Sequence, residues 1–387
     1  MTALIDGDWA AAVIMAGGVG ERFWPASRRD RPKQLIPLFD GQSLLRLTFD
    51  RAARLVGANR VYVVAGDGLR SAIADQLPAL APERYIAEPY GRNTAACLGL
   101  AACALEAAAG PDTVMAVLTA DHRIEEGPAF RAAVLGAIGH ARHGEDLVTI
   151  GMRPTRPETG YGYLALGEPL GTEPTAEGDV TIHRVRRFVE KPERRLAEEF
   201  FESSDYLWNS GMFFWRVGTF LEEFKRCQPE MARAWETLRR HGPPPYPLSL
   251  VAEIYERLPS LPVDKALLER TDHVAAVRGT FPWSDLGSWD ALEAAWRADG
   301  QGNVHQGAVI VLESANCVLY NEGAPEGPAA DAPGGPATAQ SPVVVFGMEG
   351  IVAVRTDRAI LIAPKSRAQE LRSVVQFLRD SGRGELL

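Results

Sequence analysis

The stretch from Ala16 to Gln34 holds the residues best suited to gripping an anion. An apolar run at 11–15 leads into Ala16-Gly17-Gly18-Val19-Gly20-Glu21-Arg22, and Arg28, Arg29, Arg31 and Lys33 follow within a dozen residues. Glycines let the backbone approach a ligand closely, and successive N–H groups make an anion-binding concavity. Clustered arginines can clamp phosphate oxygens in bidentate fashion, and a lysine adds a point charge. The glycine spacing is not that of a dinucleotide fingerprint, and no Gly-Lys-Ser/Thr follows to complete a P-loop. The glycines alone suit a solvated loop equally well. The apolar run before them and Pro32-Lys33-Gln34 after them favour a phosphate ligand.

Asp121 and Asp285 lie too far apart in the sequence for spacing to pair them. Asp121 follows the apolar run 114–118, and Asp285 sits in Trp283-Ser284-Asp285-Leu286-Gly287. Each could cap a helix, Asp285 one beginning near Gly287. Glu88 could pair with Arg92 or accept from a ligand, and Asn93 stands where a helix cap belongs. Tyr161, Tyr163, Trp208, Trp283 and Trp289 read chiefly as packing residues.

These candidates need a scaffold, and the pattern supplies one. Apolar runs at 11–15, 61–65, 114–118 and 147–151 alternate with helical spacing at 44–56, an Ala-rich stretch from Thr94 to Ala109, and 128–143. Such alternation predicts an α/β fold with a mostly parallel sheet covered on both faces. Ligands then sit beyond the carboxyl ends of the strands, where Gly17 and Asp121 fall. Further on, strands are expected at 180–190 and 211–217, and helices at 194–203 and 284–298. After about Gly300 come short apolar runs (308–312, 318–320, 343–346, 351–354, 359–362) without helices, then a closing helix at about 368–379. The Pro/Gly/Ala-rich segment 321–342 is expected to be a flexible insertion.

Composition narrows the partners. The chain has 387 residues, 46% of them hydrophobic, and a net charge of −9, which argues against nucleic acid and acidic membranes. Four cysteines without metal-ligand spacing suggest free thiols in a reducing compartment. The N-terminus lacks the basic flank of a signal peptide, and no apolar stretch reaches the roughly 20 residues of a membrane span. A soluble, cytoplasmic protein is expected.

The run Gly17-Gly18-Val19-Gly20-Glu21-Arg22-Phe23-Trp24-Pro25-Ala26-Ser27-Arg28, with Arg31-Pro32-Lys33-Gln34-Leu35, closely resembles the signature of the sugar-nucleotide pyrophosphorylases. It is most similar to the mannose-1-phosphate guanylyltransferase branch. The resemblance continues in order to about residue 300, through Glu88–Thr94, Ala120-Asp121-His122, Thr159–Tyr163, Phe188–Pro192, Trp208–Phe213 and Trp283–Trp289. One such motif is weak evidence, whereas six in register are strong.

The resemblance implies a Rossmann-like nucleotidyltransferase domain over 1–300 and a small β-helix-like domain over 301–387, the latter making subunit contacts in a homodimer. It implies attack of mannose 1-phosphate on the α-phosphate of GTP, giving GDP-mannose and pyrophosphate. Another sugar or base, or a catalytically silent nucleotide-sugar-binding regulator, is the alternative. Arg22, Lys33, Asp121 and Asp285 match the catalytic positions, with Asp121 and Asp285 holding Mg²⁺. Gly17, Gly18, Gly20, Glu88, Arg92, Asn93 and Thr94 match the nucleotide side. Gly162, Glu190, Lys191 and Asn209 match the sugar-phosphate side. Guanine presents adjacent N1–H and N2–H₂ donors that one carboxylate can accept, so Glu88 is the base-reading candidate. Thr119, Ala96, Arg270 and Pro262-Val263-Asp264-Lys265 depart from the branch pattern without removing a catalytic carboxylate or phosphate ligand.

Overall fold

The computed structural model describes residues 3–323 and 341–387, so the insertion expected at 321–342 lies largely outside the described residues. These residues divide into two compact units. One comprises the described parts of Met1–Gly17, Arg46–Ala120 and Ile124–Trp283, and the other those of Gly18–Leu45, Asp121–Arg123 and Ser284–Leu387. The division therefore differs from a single cut after residue 300, because the glycine-rich segment is grouped with the C-terminal one.

The first unit is built on a nine-stranded sheet. Its strands run in the order Tyr85–Glu88, Val61–Gly66, Ala10–Met15, Val114–Thr119, Tyr206–Arg216, Leu147–Met152, Val274–Gly279, Val180–Val189 and Tyr163–Glu173. The first four are mutually parallel, in register Ile14↔Val63 and Ile14↔Leu118. Their continuous apolar sequences are buried on both faces, as a sheet covered by helices requires. Tyr206–Arg216 enters antiparallel between Val114–Thr119 and Leu147–Met152. It begins at Tyr206, earlier than its apolar run suggested, and Trp208 and Asn209 thereby become strand residues.

The Ala-rich helix Asn93–Ala109 buries Ala95 through Leu105. Its small side chains admit Trp235 of the helix Pro229–His241, and a Cβ at Gly99 would lie 1.7 Å from Trp235 Cζ2. Gly99→Ala is therefore expected to destabilise the protein by about 1–3 kcal/mol despite alanine's better helix propensity. A lowered denaturation midpoint in urea would bear this out, and an unchanged or raised one would refute it. No helix among the described residues is long and apolar enough to cross a membrane.

In the second unit, Val304–Gln306, Val318–Asn321, Ile351–Arg355 and Ile360–Pro364 form a four-stranded sheet, and Val309–Leu312 pairs in parallel with Val343–Phe346. Cys317, Leu319, Val345 and Ala353 form its small core. Residues 284–298 do not form the continuous helix their spacing suggested. Leu286 at φ +46° breaks the helix, and only Trp289–Ala294 makes a 3₁₀ segment. The Trp289 and Trp296 indoles donate instead to the Trp24 and Leu38 carbonyls. The closing helix is also divided, with 3₁₀ geometry over Lys365–Glu370 before the α-helix Leu371–Asp380.

Candidate active site

Within the second unit, the turn at Gly20 determines where Lys33 goes. Gly20 has φ +74°, and a Cβ there would lie 2.4 Å from Lys33 Cβ, so any side chain would displace the lysine. The Val19 carbonyl accepts the Lys33 backbone N–H, and the Ser27 hydroxyl donates to the Gly20 carbonyl. Lys33 is only 4% exposed. Its Nζ donates to Asp121 Oδ2 at 3.0 Å and to the Asp285 carbonyl at 2.6 Å, and lies 5.5 Å from the Phe23 ring centroid.

Lys33, Asp121 and Asp285, far apart in sequence, are thus brought together. Desolvation pushes the Asp121 carboxyl up, but the Lys33 ammonium and His122 outweigh it and hold Asp121 below its usual value. Its side chain remains 42% exposed, open to a ligand. Neither aspartate is a helix cap: a strand residue, Arg123, follows Asp121 closely, and Ser288 holds the cap position before Trp289. Arg22 is half-buried in the 3₁₀ turn Glu21–Phe23, and Gly18 faces open space.

The arginine cluster does not act as one group. Arg28 is buried and pairs with Asp30 and Asp357 at 3.3 and 3.4 Å, and Arg31 pairs with Glu322. Their expected share in a phosphate clamp is corrected accordingly: carboxylates from later in the chain, invisible to local spacing, already hold them. Arg29 stays exposed.

In the first unit, Glu88 ends the strand Tyr85–Glu88 and is 4% exposed. Its Oε1 accepts from the Tyr255 hydroxyl at 3.1 Å, and Oε2 lies 3.1 Å from where a Gly17 Cβ would stand. The alternative of a Glu88–Arg92 ion pair is not realised. Arg92 lies 5.4 Å from the Tyr90 ring instead. Burial pushes the Glu88 carboxyl up to about 7, and the Tyr255 bond tempers the rise. Asn93, at φ +67°, accepts the Thr94 N–H on Oδ1, and the Thr94 hydroxyl accepts the Val263 N–H.

A second group forms around Asn209. The Gly162 carbonyl accepts the Asn209 backbone N–H at 2.8 Å, and a Cβ on Gly162 would meet Glu190 Oε2 at 2.8 Å. Lys191, at φ +50°, pairs with Glu190 at 2.9 Å. Asn209 Oδ1 accepts from Thr149 and Nδ2 donates to Asp264, each at 2.9 Å, which determines the amide orientation. Burial, together with the charge of Glu190, raises Asp264 to about 7. Tyr163 is core, whereas Tyr161 packs edge-on against Trp208 and Trp283 at 5.0 and 5.4 Å. Tyr255 and Thr149 escaped the sequence reading because they lie in an ordinary amphipathic helix and a buried strand, with no motif around them. Asp264 lies in the Pro262–Lys265 stretch that departs from the branch pattern.

Comparison with known proteins gives the family. The Nucleotidyl transferase family model matches residues 11–302. The chain is 38% identical over 380 residues to the xanthan biosynthesis protein XanB of Xanthomonas campestris pv. campestris, covering 96% of this chain and 74% of that protein. It is 36% identical over 377 residues to the mannose-1-phosphate guanylyltransferase RfbM of Salmonella typhimurium, covering 96% and 73%. The crystal structure of mannose-1-phosphate geranyltransferase from Thermus thermophilus matches with a TM-score of 0.81 at 32% identity, covering 96% of this chain and 99% of that one. The chain belongs to the nucleotidyl transferase family, in its mannose-1-phosphate guanylyltransferase branch.

Proposed function

We propose that the protein transfers GMP from GTP to α-D-mannose 1-phosphate, giving GDP-mannose and pyrophosphate. The observation that carries this reading is the buried Lys33 ammonium, held between the Asp121 carboxylate and the Asp285 carbonyl. In the reaction a mannose 1-phosphate oxygen attacks the α-phosphorus and forms one P–O bond. The bond to the β-phosphate bridging oxygen breaks, and its electrons leave with pyrophosphate. Such chemistry asks the protein for positioning and charge neutralisation rather than a covalent intermediate. Lys33 and Arg22 neutralise charge on the α-phosphate and the departing pyrophosphate, while Gly17, Gly18 and Gly20 let the phosphates approach the backbone.

Asp121 and Asp285 suit Mg²⁺, which commonly takes one or two carboxylates and completes its shell with substrate phosphate oxygens and water. When bound, Mg²⁺ would neutralise the phosphate oxygens.

Glu88 accepts the guanine N1–H and N2–H₂ beside Arg92, Asn93 and Thr94. Glu190 and Asn209 hydrogen-bond the sugar hydroxyls across Gly162, and Lys191 meets the incoming phosphate. The exposed side chains Ile310, Leu312, Val344 and Phe346, paired across Val309–Leu312 and Val343–Phe346, support a homodimer through this face. Four free thiols support a cytoplasmic setting.

The test is pyrophosphate release with Mg²⁺, crossing four nucleoside triphosphates with mannose, glucose and N-acetylglucosamine 1-phosphates. Release confined to GTP with mannose 1-phosphate is the expected result. Activity with another pair would replace the specificity, and silence from folded protein that binds GTP would favour a regulator.

A further inference from the structure

The segment Gly18–Leu45 carries Arg22 and Lys33 yet has little regular structure before the helix Leu44–Val56, chiefly the 3₁₀ turns Glu21–Phe23 and Lys33–Leu35. Besides its own turn bonds, such as the Lys33 N–H to the Val19 carbonyl, it is held by residues more than 240 positions later in the chain. The Trp24 indole N–H donates to the Leu386 carbonyl at 2.9 Å, and the Trp289 indole N–H donates to the Trp24 carbonyl at 3.2 Å. The Phe23 and Trp289 rings lie 4.9 Å apart, and Phe23 is the ring beside the Lys33 ammonium. Gln306 donates to the Pro37 carbonyl at 2.7 Å and Trp296 to the Leu38 carbonyl at 2.8 Å. Ion pairs reinforce these bonds: Arg28 with Asp357, Arg31 with Glu322, and Arg379 with Glu21.

We infer that the C-terminal β unit is the mould of the catalytic loop. Its residues Glu322, Asp357, Trp289 and Leu386 seat Arg31, Arg28 and Trp24, and through them place Lys33 and Arg22 for phosphate transfer. Arg28 and Arg31 are positioning residues, not phosphate ligands. The physical basis is pre-organisation: the loop's own turn bonds are few, and indole bonds and ion pairs from the later chain add to them. Glu322 and Arg28 are nearly inaccessible while their partners Arg31 and Asp357 are 28% and 61% exposed, so each pair has one buried end. The inference rests on the family's nucleotidyl transfer, not on the identity of the base or sugar.

Three variants test it: Glu322→Gln, Asp357→Asn and Trp24→Phe, the last removing the indole donor and part of the ring volume while keeping an aromatic side chain. Each should lower kcat of pyrophosphate release at least tenfold, with the KM for the nucleoside triphosphate changed less than threefold. Glu322→Asp should recover part of the loss. Hydrogen exchange gives a readout free of substrate choice. Amides of 19–35 should exchange at least tenfold faster in Glu322→Gln and Trp24→Phe, while those of the strands Ala10–Met15 and Val114–Thr119 keep the parent rate. Parent-like kcat and parent-like loop exchange in all three would overturn the inference. So would losses that track global unfolding, with exchange accelerating equally in the loop and in the large sheet.

Discussion

Replacing Lys33 with methionine should lower kcat of pyrophosphate release by about a thousandfold, a loss of roughly 4 kcal/mol of transition-state stabilisation. The ammonium is almost wholly buried, and its position is set by the Gly20 turn and by bonds to Asp121 and Asp285. An ammonium held in place before substrate arrives needs no reorganisation as charge builds on the α-phosphate and the departing pyrophosphate. Folding should suffer far less. Methionine matches the lysine stem in length, and the Asp121 side chain left behind can turn to water. A melting temperature within a few degrees of the parent is expected, alongside the kinetic collapse. The Asp121 carboxyl, now held below its usual value with the help of Lys33, should move upward, which NMR titration of the carboxyl carbon can follow. A kcat within tenfold of the parent would remove Lys33 from the catalytic machinery. Loss of activity accompanied by unfolding would leave Lys33 a structural residue.

The second large effect concerns Glu88 and shows in two measurements with opposite signs. Burial raises its carboxyl from 4.5 to about 7 in the folded protein. A raised carboxyl means the native state binds the proton more tightly than the unfolded chain does. Stability is therefore complete below pH 4.5 and falls as pH rises through 7, by roughly 3 kcal/mol once the group is ionised. Glu88→Gln keeps the shape and an acceptor for the Tyr255 hydroxyl but never ionises. It should melt above the parent at pH 8 and together with it at pH 4. Function should move the other way. One amide oxygen cannot match a carboxylate as acceptor for two adjacent guanine donors, and its NH₂ faces a donor instead. The preference for GTP over ATP should fall by about a hundredfold. In the parent, the KM for GTP should rise as pH falls below 7 and Glu88 takes up its proton, and in Glu88→Gln this dependence should vanish. A variant that keeps both its GTP preference and the parent's pH profile would take base reading away from Glu88. A variant no more stable at pH 8 than the parent would contradict the burial argument separately.

Much of this protein was legible in its order of residues. The alternation of β-branched runs with helical spacing predicted the parallel strands, because burial on both faces of a sheet demands continuous apolar sequence. The helix 128–143 was found where expected, as Pro128–His143, beginning at a proline and ending before Gly144. Gly20, Lys33 and Asp121 could be singled out because each stands at a strand end or in a turn where few residue types serve. Such signals are local: a φ angle, a period, a missing side chain.

What the tertiary structure alone decided is pairing. No spacing rule joins Lys33 to Asp285, Glu88 to Tyr255, or Asn209 to Asp264, since hydrogen bonds depend on proximity in space and these partners are brought near by the fold. The same gap explains two of the differences between spacing and structure. Arg28 and Arg31 looked like free cations until Asp357 and Glu322 arrived from the far end of the chain. The helical spacing of 284–298 was genuine, yet the break at Leu286 and the indole bonds to Trp24 and Leu38 prevailed over a favourable local propensity. Residue types and local spacing told which groups can bear charge, bend the chain or bury themselves; only the folded chain told which charge faces which, because Coulomb and hydrogen-bond energies act through distance rather than sequence position.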